Sequence, residues 1–198
     1  LAHDVDHQAL QRCGIGDAAL LQSLGVQVIA HRPGVGRNLQ NHAALFISAI
    51  LQRGSRQTPA LRTHPTACLR LSSGVTGAYP SDLYINIQSK TSWNAMGLRL
   101  ASLNAVLLKP RGTGTVRARS AEAEGEPAVE FGFGEHRGDM ESLAVGLLQI
   151  IRMLDAPQVR PHIGRPFVVR VGDRIRKWNA LTLSNALQAA AFAAVIDA

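Results

Sequence analysis

Residues Asp82 to Ser89 alternate without a break. Leu83, Ile85 and Ile87 fall on one face of an extended chain, and Tyr84, Asn86 and Gln88 on the other. A segment of this kind is stable only as a strand that buries one face and leaves the other half-polar. It therefore demands partner strands and a cover for the apolar side. The sequence offers both. Strands are expected from about Ala43 to Gln52, over Cys68 to Ser72 and over Leu103 to Lys109. Met140, Leu143, Ala144, Leu147, Leu148, Ile151 and Leu154 recur at helical spacing and form a stripe suited to lie on a sheet. The class this implies is α+β: a mainly antiparallel sheet with helices packed on one side. Polar and aromatic groups on the second face of the 82–89 strand suit either a wet surface or the wall of a cavity.

Other local signals fill in the order of elements. Residues 8–13 carry a short helical pattern that stops at Gly14. Asp17 is placed to cap a helix over Ala18 to Leu24, with Gly25 as its stop. A short strand is expected over Val26 to Ala30. Pro110 to Gly114 reads as the turn of a hairpin whose arms are 103–109 and 115–119, and Val129, Phe131 and Phe133 as a further short strand. Asp139 is the expected cap of the 140–154 helix and Pro157 its end; Ser184 is the expected cap of a last helix over Asn185 to Asp197. His64-Pro65 opens an irregular stretch, and Arg174 to Trp178 reads as a short turn or helix.

One loop stands out for chemistry. Arg32-Pro33-Gly34-Val35-Gly36-Arg37-Asn38-Leu39-Gln40-Asn41-His42 places two glycines two apart and four polar side chains within six residues, immediately before an apolar strand. Such glycines permit positive φ or a close backbone approach. The loop is not a dinucleotide fingerprint, because Leu39 stands where a third glycine belongs. By spacing alone it is either a tight turn or a cofactor-contact loop on the lip of a sheet.

Composition removes several classes. Twenty-one Lys and Arg against fourteen Asp and Glu give +7, but the basic residues are scattered without runs or interleaved aromatics, so no nucleic acid is expected as a partner. Cys13 and Cys68 form neither a disulfide framework nor a metal spacing. His3, Asp4, Asp6 and His7 read as a solvated, frayed terminus, and no metal is expected. No G-x-S-x-G is present for a serine hydrolase. No apolar run is long enough to span a membrane, and no secretory leader opens the sequence; a cytoplasmic location is the expectation.

The loop has company upstream and downstream. Arg12-Cys13-Gly14-Ile15-Gly16, then Leu24-Gly25-Val26, then Pro33-Gly34-Val35-Gly36-Arg37-Asn38-Leu39-Gln40-Asn41-His42 resemble, in order, the S-G-I-G…L-G-I…P-G-V-G-R-N-L-Q-D-H segment of the glucose–methanol–choline (GMC) oxidoreductases. Ala105 to Val116, with Pro110, Gly112, Gly114 and Val116, resembles the same family's L-x-P-x-S-x-G-x-V hairpin. Cys13 stands where the family usually has Ser, and Asn41 where it usually has Asp.

The resemblance implies a flavoenzyme that oxidises alcohols with FAD. It implies that residues 1–42 are a linker and flavin-contact segment and 43–198 a substrate-binding domain. Gly36, Arg37, Asn38, Asn41 and His42 would lie nearest the flavin; Tyr84, Asn86, Gln88 and Trp93 would line the substrate cavity. His42 is read as structural or flavin-adjacent, not as the catalytic base. The family's G-x-G-x-x-G and its H-x-x-G-T-x-R-M-G stretch, which carries the base, have no counterpart in these 198 residues. No catalytic residue is therefore assigned, and the chain is expected to be the middle of such an enzyme, without FAD bound and inactive alone. The alternative is a truncated, non-catalytic remnant that acts as a binding or oligomerising module, with self-association through the face that would meet a flavin domain.

Overall fold

The computed structural model describes residues 2–58, 67–168 and 177–197. Contacts divide the chain into two compact units, one of residues 1–43 with 110–140 and one of residues 44–109 with 141–198. The chain thus leaves the first unit after Ala43 and returns to it at Pro110.

In the first unit, helix α1 (Ala2–Arg12) leads into strand β1 (Ile15–Gly16), helix α2 (Ala18–Ser23) and strand β2 (Ala30–His31). The helix starts well before residue 8, so the region read as a frayed terminus is helical. Asp17 caps α2 as its position suggests: its carboxylate accepts from the amides of Ala19 and Leu20 at 3.0 and 3.2 Å. Strand β2 is shorter than the Val26–Ala30 alternation implies. It pairs in parallel with β1 over two residues only, because Ile29 and Ala30 both donate to the carbonyl of Gly14.

Strands β7 (Thr115–Arg117) and β8 (Ala128–Glu130) pair antiparallel in the same unit. This corrects the expected hairpin of 103–109 with 115–119. Gly114 bonds both ways with Leu39 at 3.0 and 2.7 Å, while the amides of Arg111 and Gly112 go to the Asp139 carboxylate at 2.8 Å each. The turn sequence is therefore spent on other partners. Strand β8 also stops short of Phe131 and Phe133, since Gly132 and Gly134 take positive φ; the two rings stack with centroids 5.1 Å apart.

The second unit is built on a four-stranded antiparallel sheet in the order β3 (Ala44–Ile50), β6 (Leu100–Leu107), β5 (Leu83–Gln88), β4 (Ala67–Leu71). The antiparallel α+β class is as the alternation indicated. Registers run Phe46↔Asn104↔Asn86↔Cys68 and Ile47↔Leu103↔Ile87↔Ala67. They give the sheet two unlike faces. On one, Ile47, Ile85, Leu103 and Ala105 pack with Ile150 and Leu154 of helix α3 (Arg137–Asp155). Leu147 and Met153 extend this core. Gly146 lets the helix sit close: a Cβ there would be 2.9 Å from that of Ala105.

Asp139 is the third residue of α3 rather than its cap, because its carboxylate serves Arg111 and Gly112 instead of its own helix. Helix α4 (Leu183–Asp197) is capped by Thr182, whose hydroxyl accepts from the Asn185 amide at 3.2 Å, and not by Ser184. At its far end Asp197 receives the guanidinium groups of Arg99 at 2.6 Å and Arg56 at 2.5 Å. The 64–65 stretch and most of 174–178 lie outside the described residues.

Candidate functional site

The loop at 34–42 is tied by backbone hydrogen bonds to Val116 and Gly114, and its polar side chains are exposed. Gly36 is buried at φ 81°, and its carbonyl accepts from the Val116 amide at 2.7 Å. A Cβ at this position would meet the Val116 carbonyl oxygen at 2.1 Å and Gln11 Nε2 at 2.4 Å. Gln11, only 1% exposed, ties the same strand. Its Nε2 donates to the Val116 carbonyl at 3.1 Å, and its Oε1 accepts from the Ala118 amide at 2.7 Å. Glycine at 36 is thus required by the chain's own backbone.

The other four loop residues, Arg37, Asn38, Asn41 and His42, are exposed. Asn38 adopts φ 58°, a left-handed conformation asparagine tolerates better than most residues. Arg37 reaches Asp17 at 4.0 Å, and Asn41 Oδ1 accepts from the His42 amide at 2.8 Å. A fixed backbone with outward amide and guanidinium donors is the kind of surface that fits the polar edge of a bound cofactor.

The second region is the face of the four-stranded sheet away from α3. Alternation and register place Cys68 and Arg70, then Tyr84, Asn86 and Gln88, then Ser102 and Asn104, then Phe46 and Ser48 on this face. One end of it opens into a cavity of about 550 Å³. Phe46, Ser48, Gln88, Ser102 and Asn104 supply its floor; Phe167, Trp178, Asn179 and Phe192 supply much of the rest. Ser48 and Ser102 are nearly buried, and Ser102 Oγ donates to Asn104 Oδ1 at 2.9 Å. Asn86 Oδ1 is buried and receives no hydrogen bond among the described residues. Tyr84 meets Cys68 of the next strand; burial first, and then the neighbouring thiol, raise its phenol above the ordinary tyrosine range. It stays protonated and is an O–H donor at any ordinary pH.

The residues expected to line a cavity are thus distributed unevenly. Gln88 is in the wall; Tyr84 and Asn86 lie further along the same sheet face. Trp93 stands beside the cavity instead of in it, with its indole N–H donating to the Asn179 carbonyl at 2.9 Å. It belongs to a latch: Ser92 Oγ donates to Asn179 Oδ1 at 2.6 Å, and the buried Asn94 donates to the Trp178 carbonyl at 3.3 Å and accepts from the Gly97 amide at 2.9 Å. This latch holds Trp178 over the cavity. The Trp178 indole donates to Gln188 at 3.0 Å and leans on Phe192 with centroids 5.7 Å apart.

Sequence reading missed Ser48, Ser102, Asn104, Trp178 and Phe192. Ser102 and Asn104 had a signal, two polar residues at a spacing of two inside an apolar run. Trp178 and Phe192 had none, because only tertiary packing brings them to the sheet. Among the described residues no group of three or more His, Cys, Asp or Glu side chains is placed to hold a metal, and no helix is long and apolar enough to cross a membrane.

The fold of this chain is found in known proteins. Pyridoxine 4-oxidase from Mesorbium loti superposes with a TM-score of 0.68 at 17% identity, over 85% of this chain and 34% of that one. An FAD-dependent oxidoreductase from Chaetomium thermophilum superposes at 0.59 with 18% identity, over 91% of this chain and 40% of that one. In sequence, the chain is 35% identical over 156 residues to 5-(hydroxymethyl)furfural oxidase of Methylovorus sp. (strain MP688), covering 77% of this chain and 28% of the relative. It is 21% identical over 182 residues to oxygen-dependent choline dehydrogenase of Stenotrophomonas maltophilia (strain K279a), covering 80% and 32%. No family model matches the chain. Together with the motifs at 12–42 and 105–116, these relatives assign the chain to the GMC oxidoreductase family, whose cofactor is FAD. The chain spans about a third of the length of the relatives it matches.

Proposed function

We propose that the second unit supplies the substrate wall of an FAD-dependent oxidoreductase acting on the CH–OH group of a small alcohol. The observation that carries this is the cavity on the polar sheet face, with its neutral hydroxyl and amide floor. Bound FAD would supply the acceptor for a hydride from the alcohol carbon. This chain's own residues would do the rest of the holding. Ser102, Asn104 and Gln88 offer donors and acceptors that orient a hydroxyl-bearing substrate. Phe46, Phe167 and Phe192 exclude water from the reacting carbon. Arg37, Asn38, Asn41 and His42 would face the flavin through exposed donors, on a backbone that the buried Gly36 and Gln11 fix. The division into a flavin-contact segment at 1–42 and a substrate domain at 43–198 belongs to this proposal, as do Tyr84, Asn86 and Trp93 as outer substrate contacts. No proton-accepting base is assigned within these residues, and the chain by itself is expected to be inactive.

The test is alcohol binding by the 198-residue chain, followed through its backbone amide resonances. Benzyl alcohol should move the amides of Gln88, Ser102 and Asn104, and Asn104→Leu should weaken the effect. No movement at these amides up to the solubility limit contradicts the proposal. The second reading, a non-catalytic oligomerising module, draws on Leu183, Leu187 and Val195, which leave an apolar stripe of α4 exposed. A monomer by light scattering at high concentration would remove it.

A further inference from the structure

The loop at 34–42 has two anchors, and the second depends on a residue far away in the sequence. The first anchor is Gly36 against β7. The second is the 110–114 turn. Gly114 and Leu39 exchange backbone hydrogen bonds in both directions, at 3.0 and 2.7 Å, and Gln40 Nε2 donates to the Pro110 carbonyl at 2.9 Å. Leu39 and Gln40 lie between Asn38 and Asn41. The outward side chains of the loop are therefore placed only as well as the turn behind them.

The turn's own amides find their acceptor elsewhere. Arg111 and Gly112 both donate to one oxygen, Asp139 Oδ2, at 2.8 Å each. The other oxygen accepts from Arg111 Nε at 3.1 Å and lies 3.6 Å from His136 Nδ1. Asp139 is only 6% exposed, so water competes little for these bonds. Glycines let the backbone close around the turn. A Cβ at Gly138 would run into the Arg111 guanidinium, and one at Gly132, where φ is 64°, would stand 2.5 Å from the Thr113 carbonyl oxygen.

We propose that Asp139 is a positioning residue for the flavin-contact loop: its carboxylate fixes the 110–114 turn, and the turn fixes Leu39 and Gln40. This rests on the flavin-contact reading above and adds the residue that sets that loop's geometry. An ionised acceptor that gathers two consecutive amides makes stronger hydrogen bonds than a neutral one. Without it, two half-buried donors lose their partner and the turn relaxes. Asparagine at 139 can still accept both amides through its Oδ1, but it loses the ion pair with Arg111.

Amide hydrogen exchange of the 198-residue chain tests this. Asp139→Ala should speed exchange at Leu39 and Gly114 by about tenfold or more. The Ala118 amide, held by Gln11, should stay within about twofold of its native rate. Asp139→Asn should restore the loop to within about threefold. A uniform rise at Leu39, Gly114 and Ala118 would mean that Asp139 supports the unit as a whole, and an unchanged Leu39 that the loop is held without it. Either result overturns the proposal. The link to the cofactor is read in a chimera in which α1 through α3 replace their counterparts in the Methylovorus oxidase. It should lose flavin several-fold faster when it carries Asp139→Ala. Faster loop exchange with an unchanged rate of flavin loss would overturn the flavin-contact reading, and the cofactor role of Asp139 with it, while the tie between Asp139 and the loop would stand.

Discussion

The loop at 34–42 and the polar face of the four-stranded sheet both hold polar side chains next to glycine or apolar residues, yet they use them in opposite ways. In the loop, the buried atoms serve the backbone: Gly36 and Gln11 lock the chain to β7, and Arg37, Asn38, Asn41 and His42 point to solvent. On the sheet, the backbone is locked by the ladder itself, so side chains such as Ser102 and Asn104 are free to shape a cavity. A substitution in the first region should therefore be felt as stability, and one in the second as binding.

The largest effect should come from Gly36→Ala. A Cβ 2.1 Å from a carbonyl oxygen, at φ 81°, forces the loop off β7. A loss of about 3 kcal/mol or more is expected by denaturant unfolding. An unchanged midpoint would break the comparison at its firmest point. Gln11→Ala should follow, with about 1–3 kcal/mol lost, because the Ala118 amide and Val116 carbonyl lose a buried partner.

Acid should weaken both regions in the same sense. Burial raises the Asp82 pKa, but the hydroxyl and amide of Ser73 and the hydroxyl of Ser142 outweigh it and leave the group below its ordinary value. Asp139 is likewise lowered on balance, burial being outweighed by the Gly112 and Arg111 amides. Asp197 is lowered chiefly by Arg99 and then Arg56. A carboxylate with a depressed folded pKa stabilises above its unfolded pKa and loses that contribution as pH falls through the folded one. The unfolding temperature should hold above about pH 5 and drop below about pH 4, and Asp82→Asn should flatten that drop. A profile that instead improves toward acid would contradict these assignments.

The smallest stability effect should be Arg37→Ala, within about 0.5 kcal/mol, with Asn104→Leu next, at about 1 kcal/mol, because the Ser102 hydroxyl loses its acceptor. Asn104 is half-buried on the ligand side of the sheet, and Arg37 meets Asp17 only at 4.0 Å on an exposed surface. Asn104→Leu should nonetheless weaken alcohol binding several-fold, which sharpens the contrast with Gln11.

Much of the fold was legible because its rules are local. Two-residue alternation located β5, a continuous apolar run located β3, helical spacing located α3, and the Asp17 cap located α2. Most of the failures involve distant partners. Nothing near Pro110 tells that Asp139 will take the Arg111 and Gly112 amides, so the turn was read as a hairpin and Asp139 as a helix cap. Thr182 and Ser184 are equally suitable caps by sequence, and only the start of α4 at Leu183 decides between them. At the candidate site, alternation found Gln88 but could not supply the Phe46↔Asn104 register or the arrival of Trp178 and Phe192.

The most direct measurement is an exchange. The matched 77% of this chain is substituted for the corresponding stretch of the Methylovorus 5-(hydroxymethyl)furfural oxidase. Flavin content and alcohol oxidation are then read with and without Asn104→Leu. The account requires that both chimeras retain flavin, that the parent chimera oxidises benzyl alcohol, and that Asn104→Leu raises its KM several-fold. A chimera that holds flavin and oxidises the alcohol with a KM indifferent to Asn104→Leu would contradict the claim that the polar sheet face is the substrate wall.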